Sequence, residues 1–180
     1  MNRREVLRIL GSAAVVPVLA PFSPDTRLVI GRALHARLAG HALRTIDAQQ
    51  NATVSRIADL IIPETDTPGA AAVKVNEFID LLLTEWYAPE DRDRLFRGLA
   101  DIDARSTQLR GARFAQLSAA DQTAVLESLD GRDGDDGSAE DAFATLKELT
   151  LYGYFTSEVV MKDVIHYQVI PGRHDGCVPI

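Results

Sequence analysis

Apolar residues in the middle of the chain recur at the spacing of amphipathic helices. The first such segment runs from Gln49 to Ile62, and its apolar positions follow the i, i+3, i+4, i+7 pattern of one helical face. These positions are Val54, Ile57, Ala58 and Ile61. Asp47 and Gln50 have the form of a capping box at the start of the segment, and Pro63 ends it. The pattern predicts an α-helix.

Four more segments of the same kind follow. Two of them run from about Val75 to Trp86 and from about Glu90 to Gln108. The other two open with a capping serine, Ser118 and Ser138, and an aspartate stands three residues later in each. The residues predicted to face inward in these four segments are Val75, Phe78, Ile79, Leu82, Trp86, Leu95, Leu99, Ile102, Val125, Leu126, Leu129, Phe143, Leu146, Leu149 and Thr150.

Between Asp130 and Gly137 the helical pattern is interrupted by acidic residues and glycines. Neither Asp130 nor Asp133 starts a loop with the glycine and acidic ligands of an EF-hand, so a solvated loop is predicted instead. The chain has no run of alternating β-branched residues. The sequence therefore predicts an all-α fold. It also predicts that residues 47–180 form a single compact domain of four to six helices with an irregular C-terminal tail. Residues 21–46 are predicted to be a linker or helical segment.

Composition narrows the function classes without naming one. Of the 180 residues, 46% are apolar and 25% are charged, which excludes a chain that is disordered throughout. The formal net charge is −7, and Lys and Arg form no cluster, so the electrostatic signature of nucleic-acid binding is missing. Nucleic acid is excluded as a partner on these grounds.

Residues 1–20 have the layout of an export signal, with a basic start, a short apolar stretch and small residues after it. Arg3 and Arg4, followed by Leu7 and Arg8, resemble a twin-arginine signal, which directs folded proteins across a membrane. The apolar stretch is too short for a comfortable membrane span, which needs about 20 residues. We expect a periplasmic protein exported by the twin-arginine machinery.

Two alternatives remain for this segment. The first is an ordinary N-terminal helix of the folded domain. The second is an uncleaved signal that holds the protein at the membrane, because the sequence Val18-Leu19-Ala20 precedes Pro21, which signal peptidases disfavour. The sequence alone leaves the position of any cleavage open.

Large amphipathic side chains concentrate near the C-terminus. Tyr152, Tyr154 and Phe155 lie within four residues of one another, and Tyr167 follows, in a chain that is only 6% aromatic. Such residues serve equally as core or as interface anchors. The tail beyond Tyr167 is apolar but contains two prolines and two glycines, so it cannot form one continuous helix. We expect the aromatic segment and the tail, with Pro171 and Cys177, to contact a partner.

Chemically reactive side chains cluster only in this same region, at His166, His174, Asp175 and Cys177. Their spacing matches no nucleophile motif and no metal site, and terminal residues are seldom held with catalytic precision. His35 and His41 are predicted to be surface or interface residues. Cys177 is the only cysteine, so an intrachain disulfide is excluded and a disulfide to another chain is the hypothesis for an exported protein.

Recognised catalytic and cofactor motifs do not occur in the sequence. It contains no dinucleotide-binding glycine motif, Walker loop, nucleophile elbow, haem-attachment motif or zinc-protease motif. We therefore expect a chain with no catalytic residue, no metal site and no cofactor of its own.

Three sequence blocks stand out along the chain. Residues 61–70 read Ile-Ile-Pro-Glu-Thr-Asp-Thr-Pro-Gly-Ala, residues 153–158 read Gly-Tyr-Phe-Thr-Ser-Glu, and residues 170–177 begin with Ile-Pro-Gly and end with Gly-Cys. The first block is similar to the I-I-P-x-T-D-T-P-G-A segment of the gluconate 2-dehydrogenase subunit 3 family, and the other two resemble the other two blocks of that family. The order and spacing agree from about Asp47 to Cys177, although His174 stands where an aromatic residue is expected.

The resemblance implies a small, noncatalytic subunit of a periplasmic sugar or glycoside dehydrogenase complex. In such complexes a large flavin (FAD) subunit of the glucose-methanol-choline type oxidises the sugar, and electrons leave through an iron-sulfur cluster or a cytochrome c with haem c. The small subunit carries the twin-arginine signal with which the large subunit is exported, and the complex is periplasmic or membrane-associated. Family members accompany gluconate, glucose, fructose and glucoside 3-dehydrogenases. The alternative from the residues is a free-standing periplasmic enzyme or ligand-binding protein that uses His174, Asp175 and Cys177.

The first block is predicted to be a rigid turn between helices with a structural role. Its members are Pro63, Asp66, Thr67, Pro68 and Gly69. Asp66 and Thr67 are expected to bond nearby amides, Pro68 to fix its φ angle and Gly69 to adopt a positive φ. On this view, Asp66→Ala would lower the free energy of unfolding by roughly 0.5–2 kcal/mol.

Overall fold

The computed structural model describes residues 19, 21–132 and 134–166. This part of the chain folds into six α-helices and contains no strand. The helices are α1 (Pro24–His35), α2 (Ala48–Ile61), α3 (Val75–Glu85), α4 (Pro89–Arg110), α5 (Ala119–Leu129) and α6 (Ala139–Thr156). A 3₁₀ turn (Phe114–Gln116) precedes α5, and a π-helical turn (Val160–Val164) follows α6. The all-α prediction is confirmed.

Helix starts follow the capping residues read from the sequence. At α2, the backbone N–H of Gln50 donates to the Asp47 carboxylate (2.8 Å), and the Asp47 N–H donates to the Gln50 side chain (2.9 Å). Ser118 and Ser138 cap α5 and α6 through their hydroxyl oxygens. Because these bonds satisfy N–H groups that have no partner inside the helix, they fix where each helix begins.

Helix α6 lies at the centre of the domain and packs against each of the other five helices. Its buried residues occupy most of its circumference and include Phe143, Leu146, Leu149, Tyr152 and Phe155. A helix that is apolar on most sides is stable only when neighbours surround it. The other helices therefore form a layer around α6, and the core is continuous from α1 to the π-helical turn.

A buried carboxylate holds the connection between α1 and α2. Asp80 of α3 is fully buried, and its two oxygens accept hydrogen bonds from the backbone N–H groups of Arg44, Thr45 and Ile46 at 2.8–2.9 Å. The Nε2 atom of His41 donates to the same carboxylate at 2.9 Å. Burial alone would raise the pKa of Asp80, but the three amides and His41 outweigh it and lower this pKa.

This arrangement corrects the prediction for His41. Its side chain is only 6% exposed and serves a buried network rather than the surface. The loop backbone would otherwise bury unpaired N–H groups, and Asp80 supplies the acceptors that they need.

A second carboxylate is held in an unfavourable setting. Glu148 of α6 is partly buried, and its burial raises its pKa to about 7. It lies near the hydroxyl of Tyr87, which is buried and makes no hydrogen bond within the described residues. Burial and the nearby charge of Glu148 together raise the pKa of Tyr87.

We expect Asp80→Asn to destabilise the protein by about 3 kcal/mol or more, because the amide turns one acceptor into a donor that faces backbone N–H groups. The pKa of Asp80 is lower in the folded state, so its contribution is present above about pH 4 and is lost as the pH falls below that value. Thermal unfolding between pH 3 and 7 measures both effects. Asp93→Asn, at an exposed position on α4, is the control and should unfold like the natural chain.

Candidate functional site

Two of the three sequence blocks described above meet in space. The hydroxyl of Tyr154, near the end of α6, donates a 2.7 Å hydrogen bond to the carbonyl of Pro68 in the turn at residues 63–69. The hydroxyl of Tyr152 donates to the carbonyl of Arg27 in α1 at 2.6 Å. The end of α6 is therefore fastened on one side to the turn and on the other to α1.

These contacts correct the prediction that the aromatic segment is exposed to a partner. Tyr152, Tyr154 and Phe155 are each only 4–5% exposed and belong to the core of this chain. Tyrosine fits a core position when its hydroxyl finds an acceptor, and both tyrosines find a backbone carbonyl. Tyr167, Pro171 and Cys177, the other predicted interface residues, lie outside the described residues.

The turn at residues 63–69 is closed by backbone hydrogen bonds. The N–H of Ala70 donates to the carbonyl of Ile62 at 2.9 Å, and the N–H of Thr65 donates to the carbonyl of Thr67 at 3.1 Å. The exposed Asp66 carboxylate accepts a bond from the Thr65 hydroxyl, not from a backbone amide as predicted. The bonds that close the turn therefore run mainly between backbone groups, and the Asp66 carboxylate contributes none to the backbone.

Gly69 is required for a reason different from the predicted one. It does not belong to the glycines with positive φ in the described residues. A Cβ atom at Gly69 would instead lie 2.6 Å from the backbone nitrogen of Glu64 and 3.0 Å from its Cα atom. Close approach of two backbone segments, rather than φ, calls for glycine here.

A groove opens beside the joined blocks. Its walls are α1, residues 72–74 just after the turn, and residues 156–159 at the end of α6, and they enclose about 610 Å³. Two of the exposed large apolar side chains, Val29 and Val159, line it and are 66% and 43% exposed. Apolar side chains that share a concave surface are typical of binding sites.

His35 lies at the base of this groove. Its Nε2 atom bonds the carbonyl of Gly153 at 2.7 Å, and its ring stacks on Phe78 with the ring centres 4.6 Å apart. A carbonyl only accepts, so Nε2 carries the proton. Burial lowers the pKa of His35, so the ring is neutral at ordinary pH. His35 is therefore half-buried and bonded to α6 rather than free at the surface, and because it lines the groove, its predicted interface role stays a prediction.

The other polar groups of the groove are also engaged within the chain. The hydroxyls of Thr156 and Ser157 donate to carbonyls of α6 at 2.7 and 2.8 Å. Lys74 pairs with Glu77, and Glu158 pairs with Lys162. Arg32 adds another positive charge to the lining. The groove offers apolar contact with a charged rim, and these features suit the binding of a protein segment.

Other predicted sites lie where the structure gives no description. The export signal residues Arg3, Arg4, Leu7 and Arg8 are outside the described residues, as are His174 and Asp175. Within the described part, no three His, Cys, Asp or Glu side chains are grouped to hold a metal ion. No described helix combines the length and the apolar character that a membrane crossing requires.

The groove could not be predicted from the sequence, because one of its walls is α1, which lies in the segment 21–46 interpreted only as a linker or helical segment. That helix begins with Ser23, whose hydroxyl accepts from the N–H of Thr26, and with Pro24 in the first helical position. These start signals are legible in the sequence, and Leu28 and Leu34 supply a buried face. The packing of α1 against the end of α6 could not be predicted from these local signals.

Comparison with known proteins adds one finding. A family model described as gluconate 2-dehydrogenase subunit 3 matches residues 48–172, which is more than half of the chain. No curated protein matches the chain, and no solved structure matches it. The family match covers both described blocks, and it confirms the resemblance that the sequence motifs indicate.

We expect Gly69→Ala to lower the free energy of unfolding by about 1–3 kcal/mol, because the added methyl group overlaps the backbone of Glu64. Asp66→Ala should change it by no more than about 0.5 kcal/mol, since Asp66 is exposed and bonds only a neighbouring side chain. This replaces the larger effect expected from sequence. Chemical denaturation of both variants tests the ranking, and equal losses would contradict it.

Proposed function

The chain belongs to the gluconate 2-dehydrogenase subunit 3 family, and we propose that it is the noncatalytic small subunit of a periplasmic sugar or glycoside dehydrogenase complex. Its partner in this proposal is a large FAD-dependent subunit of the glucose-methanol-choline type. That subunit holds the flavin and oxidises the sugar, and this chain stabilises it. An iron-sulfur cluster or the haem c of a cytochrome c subunit takes the electrons onward.

The groove is the observation that carries this proposal. Its apolar side chains are solvent-exposed at Val29 and Val159, while its hydroxyls and its histidine are already bonded to α6. Such a surface gains free energy when a partner covers its apolar area. The groove lies beside both family blocks that the structure describes. This position supports a role for the groove in binding the large subunit, the function that we propose for this family member.

Export is the second part of the proposal. We infer that Arg3, Arg4, Leu7 and Arg8 direct this chain to the twin-arginine machinery, and that the large subunit crosses the membrane bound to it. The support is the basic and apolar pattern of residues 1–20. A machinery that exports folded proteins suits a pair of subunits that assemble before transport.

The alternative is a free-standing periplasmic enzyme or ligand-binding protein that uses His174, Asp175 and Cys177. Under this alternative, the isolated chain is active or binds its ligand without a partner subunit. Activity or ligand binding retained by the purified chain alone would favour this alternative over the subunit.

Affinity purification of the tagged full chain from its native periplasm tests the proposal. We expect a larger protein with a flavin absorption spectrum to copurify. When Arg3 and Arg4 are both changed to Lys, we expect this larger protein to be absent from the periplasm, because it is no longer exported. In the complex, Val29→Asp should reduce the recovered flavin at least about 10-fold, because it places a charge in an apolar contact.

Leu109→Asp is the matched control for this variant. Leu109 is 60% exposed, close to the 66% of Val29, but it lies near the end of α4 and does not line the groove. The control should recover the flavoprotein as the natural chain does. Equal recovery of flavin with both variants would show that the partner does not bind at the groove. If the natural chain is purified alone and without a flavin spectrum, the proposed complex is refuted.

We further propose that Cys177 forms a disulfide with the partner subunit, because it is the only cysteine of a chain predicted to be exported. On a non-reducing gel, the purified complex should show a band at the summed mass that disappears after reduction. Cys177→Ser should show only separate bands. A natural complex that runs solely as free subunits without reductant would refute the disulfide.

A further inference from the structure

The side of α1 that borders the groove is exposed along its length. Val29, Arg32, Ala33 and Ala36 all line the groove, are all exposed and stand at positions i, i+3, i+4 and i+7 of the helix. They form one stripe that is apolar except for Arg32. The small side chains of Ala33 and Ala36 leave room for another main chain to lie close to α1. The helix therefore has an uncovered apolar face in addition to its buried one.

The walls of the groove offer few hydrogen bonds to the backbone of a bound segment. Helix α1 pairs its own backbone groups, and the hydroxyls of Thr156 and Ser157 donate to carbonyls of α6. The described residues contain no strand whose edge an extended segment could join. An extended segment in this groove would leave many of its N–H and C=O groups without a protein partner. A bound helix pairs these groups within itself.

The lining also lacks the side chains that bind proline-rich segments. Such segments dock in grooves lined by aromatic rings, and no Phe, Tyr or Trp is among the described residues that line this groove. Its apolar side chains are aliphatic instead, with Val29 and Val159 the most prominent. An aliphatic groove of this kind fits the apolar face of an amphipathic helix, which presents a side chain every three or four residues.

The rim of the groove carries a positive charge that is available to a partner. Lys74 pairs with Glu77. On the opposite wall, Glu158 pairs with Lys162. Arg32 is exposed and donates no hydrogen bond to any residue that the structure describes. A carboxylate on the bound segment would fit here, because a guanidinium group binds a carboxylate through paired N–H donors.

We propose that the groove binds an amphipathic helix of the large subunit, whose apolar face covers Val29 and Val159 and whose acidic side chain pairs with Arg32. The identity of the partner rests on the proposed function. The inference adds the secondary structure and the charge of the segment that is bound.

The first test crosslinks the groove to its occupant in the purified complex. Val29 and Ala36 of the tagged full chain are replaced, one at a time, by a small aliphatic amino acid that carries a photoreactive diazirine. Mass spectrometry after irradiation identifies the crosslinked residues of the large subunit. Seven residues of helix span about 10 Å, a distance that about three residues of extended chain cover. The two crosslinks should therefore lie about seven residues apart on a helix along α1, and about three apart on an extended segment.

The outcomes distinguish this inference from the proposed function. A separation of about five residues or more within one segment supports the bound helix. A smaller separation, or crosslinks in two distant segments, overturns it, and so does a flavoprotein that copurifies without being crosslinked. In all these cases the complex itself stands. If no flavoprotein copurifies with the natural chain, the proposed function fails and this inference fails with it.

The second test reverses the charge of Arg32. Arg32→Glu should reduce the flavin recovered with the chain at least about 10-fold, because it places a like charge against the acidic side chain of the bound helix. Arg56→Glu is the matched control, since Arg56 is an exposed arginine of α2 that does not line the groove. The control should recover the flavin as the natural chain does, and equal melting temperatures of the two variants would show that both are folded. Equal recovery of flavin with both variants would overturn the pairing of Arg32.

Discussion

The buried carboxylate of Asp80 is the constraint on which the arrangement of the helices depends. It binds three consecutive backbone N–H groups of the α1–α2 connection together with His41. That connection leads out of α1, and α1 provides one wall of the groove. A single buried acidic side chain therefore holds the chain segment next to the helix that forms the surface we assign to a partner. The cost of burying its charge is offset by four hydrogen bonds.

Much of the fold could be predicted from the sequence because its causes are local. Helix α2 has apolar residues on one face and a capping box at its start, and both signals lie within the segment itself. The same holds for the serines that begin α5 and α6. Contacts between distant segments could not be predicted in this way. The sequence around Tyr154 does not indicate whether its side chain faces solvent or bonds to the carbonyl of Pro68, which lies 86 residues earlier in the chain.

The candidate site was less predictable than the fold, since no residue in it is chemically unusual. Val29 and Val159 become a surface only when α1 lies beside the end of α6. One clue was available: Asp80 stands between apolar residues on the inward face of α3, where a charge needs partners. It pointed to a buried network, but not to the loop that completes it. Two of the family blocks lie beside the groove, and the structure places Tyr154 and Phe155 of the second block inside the core rather than on the surface.

The partly buried Glu148 has a consequence for the conditions that the protein tolerates. The pKa of Glu148 is about 7 in the folded chain, above its ordinary value of about 4.3. The folded chain therefore binds this proton more tightly than the unfolded chain does, and protonated Glu148 favours folding. Its contribution declines as the pH rises from about 4 to 7, whereas that of Asp80 is lost only below about pH 4. The two carboxylates therefore favour the folded chain most in mildly acidic solution. Neutral or alkaline solution would therefore leave the folded chain with a narrower margin of stability than mildly acidic solution.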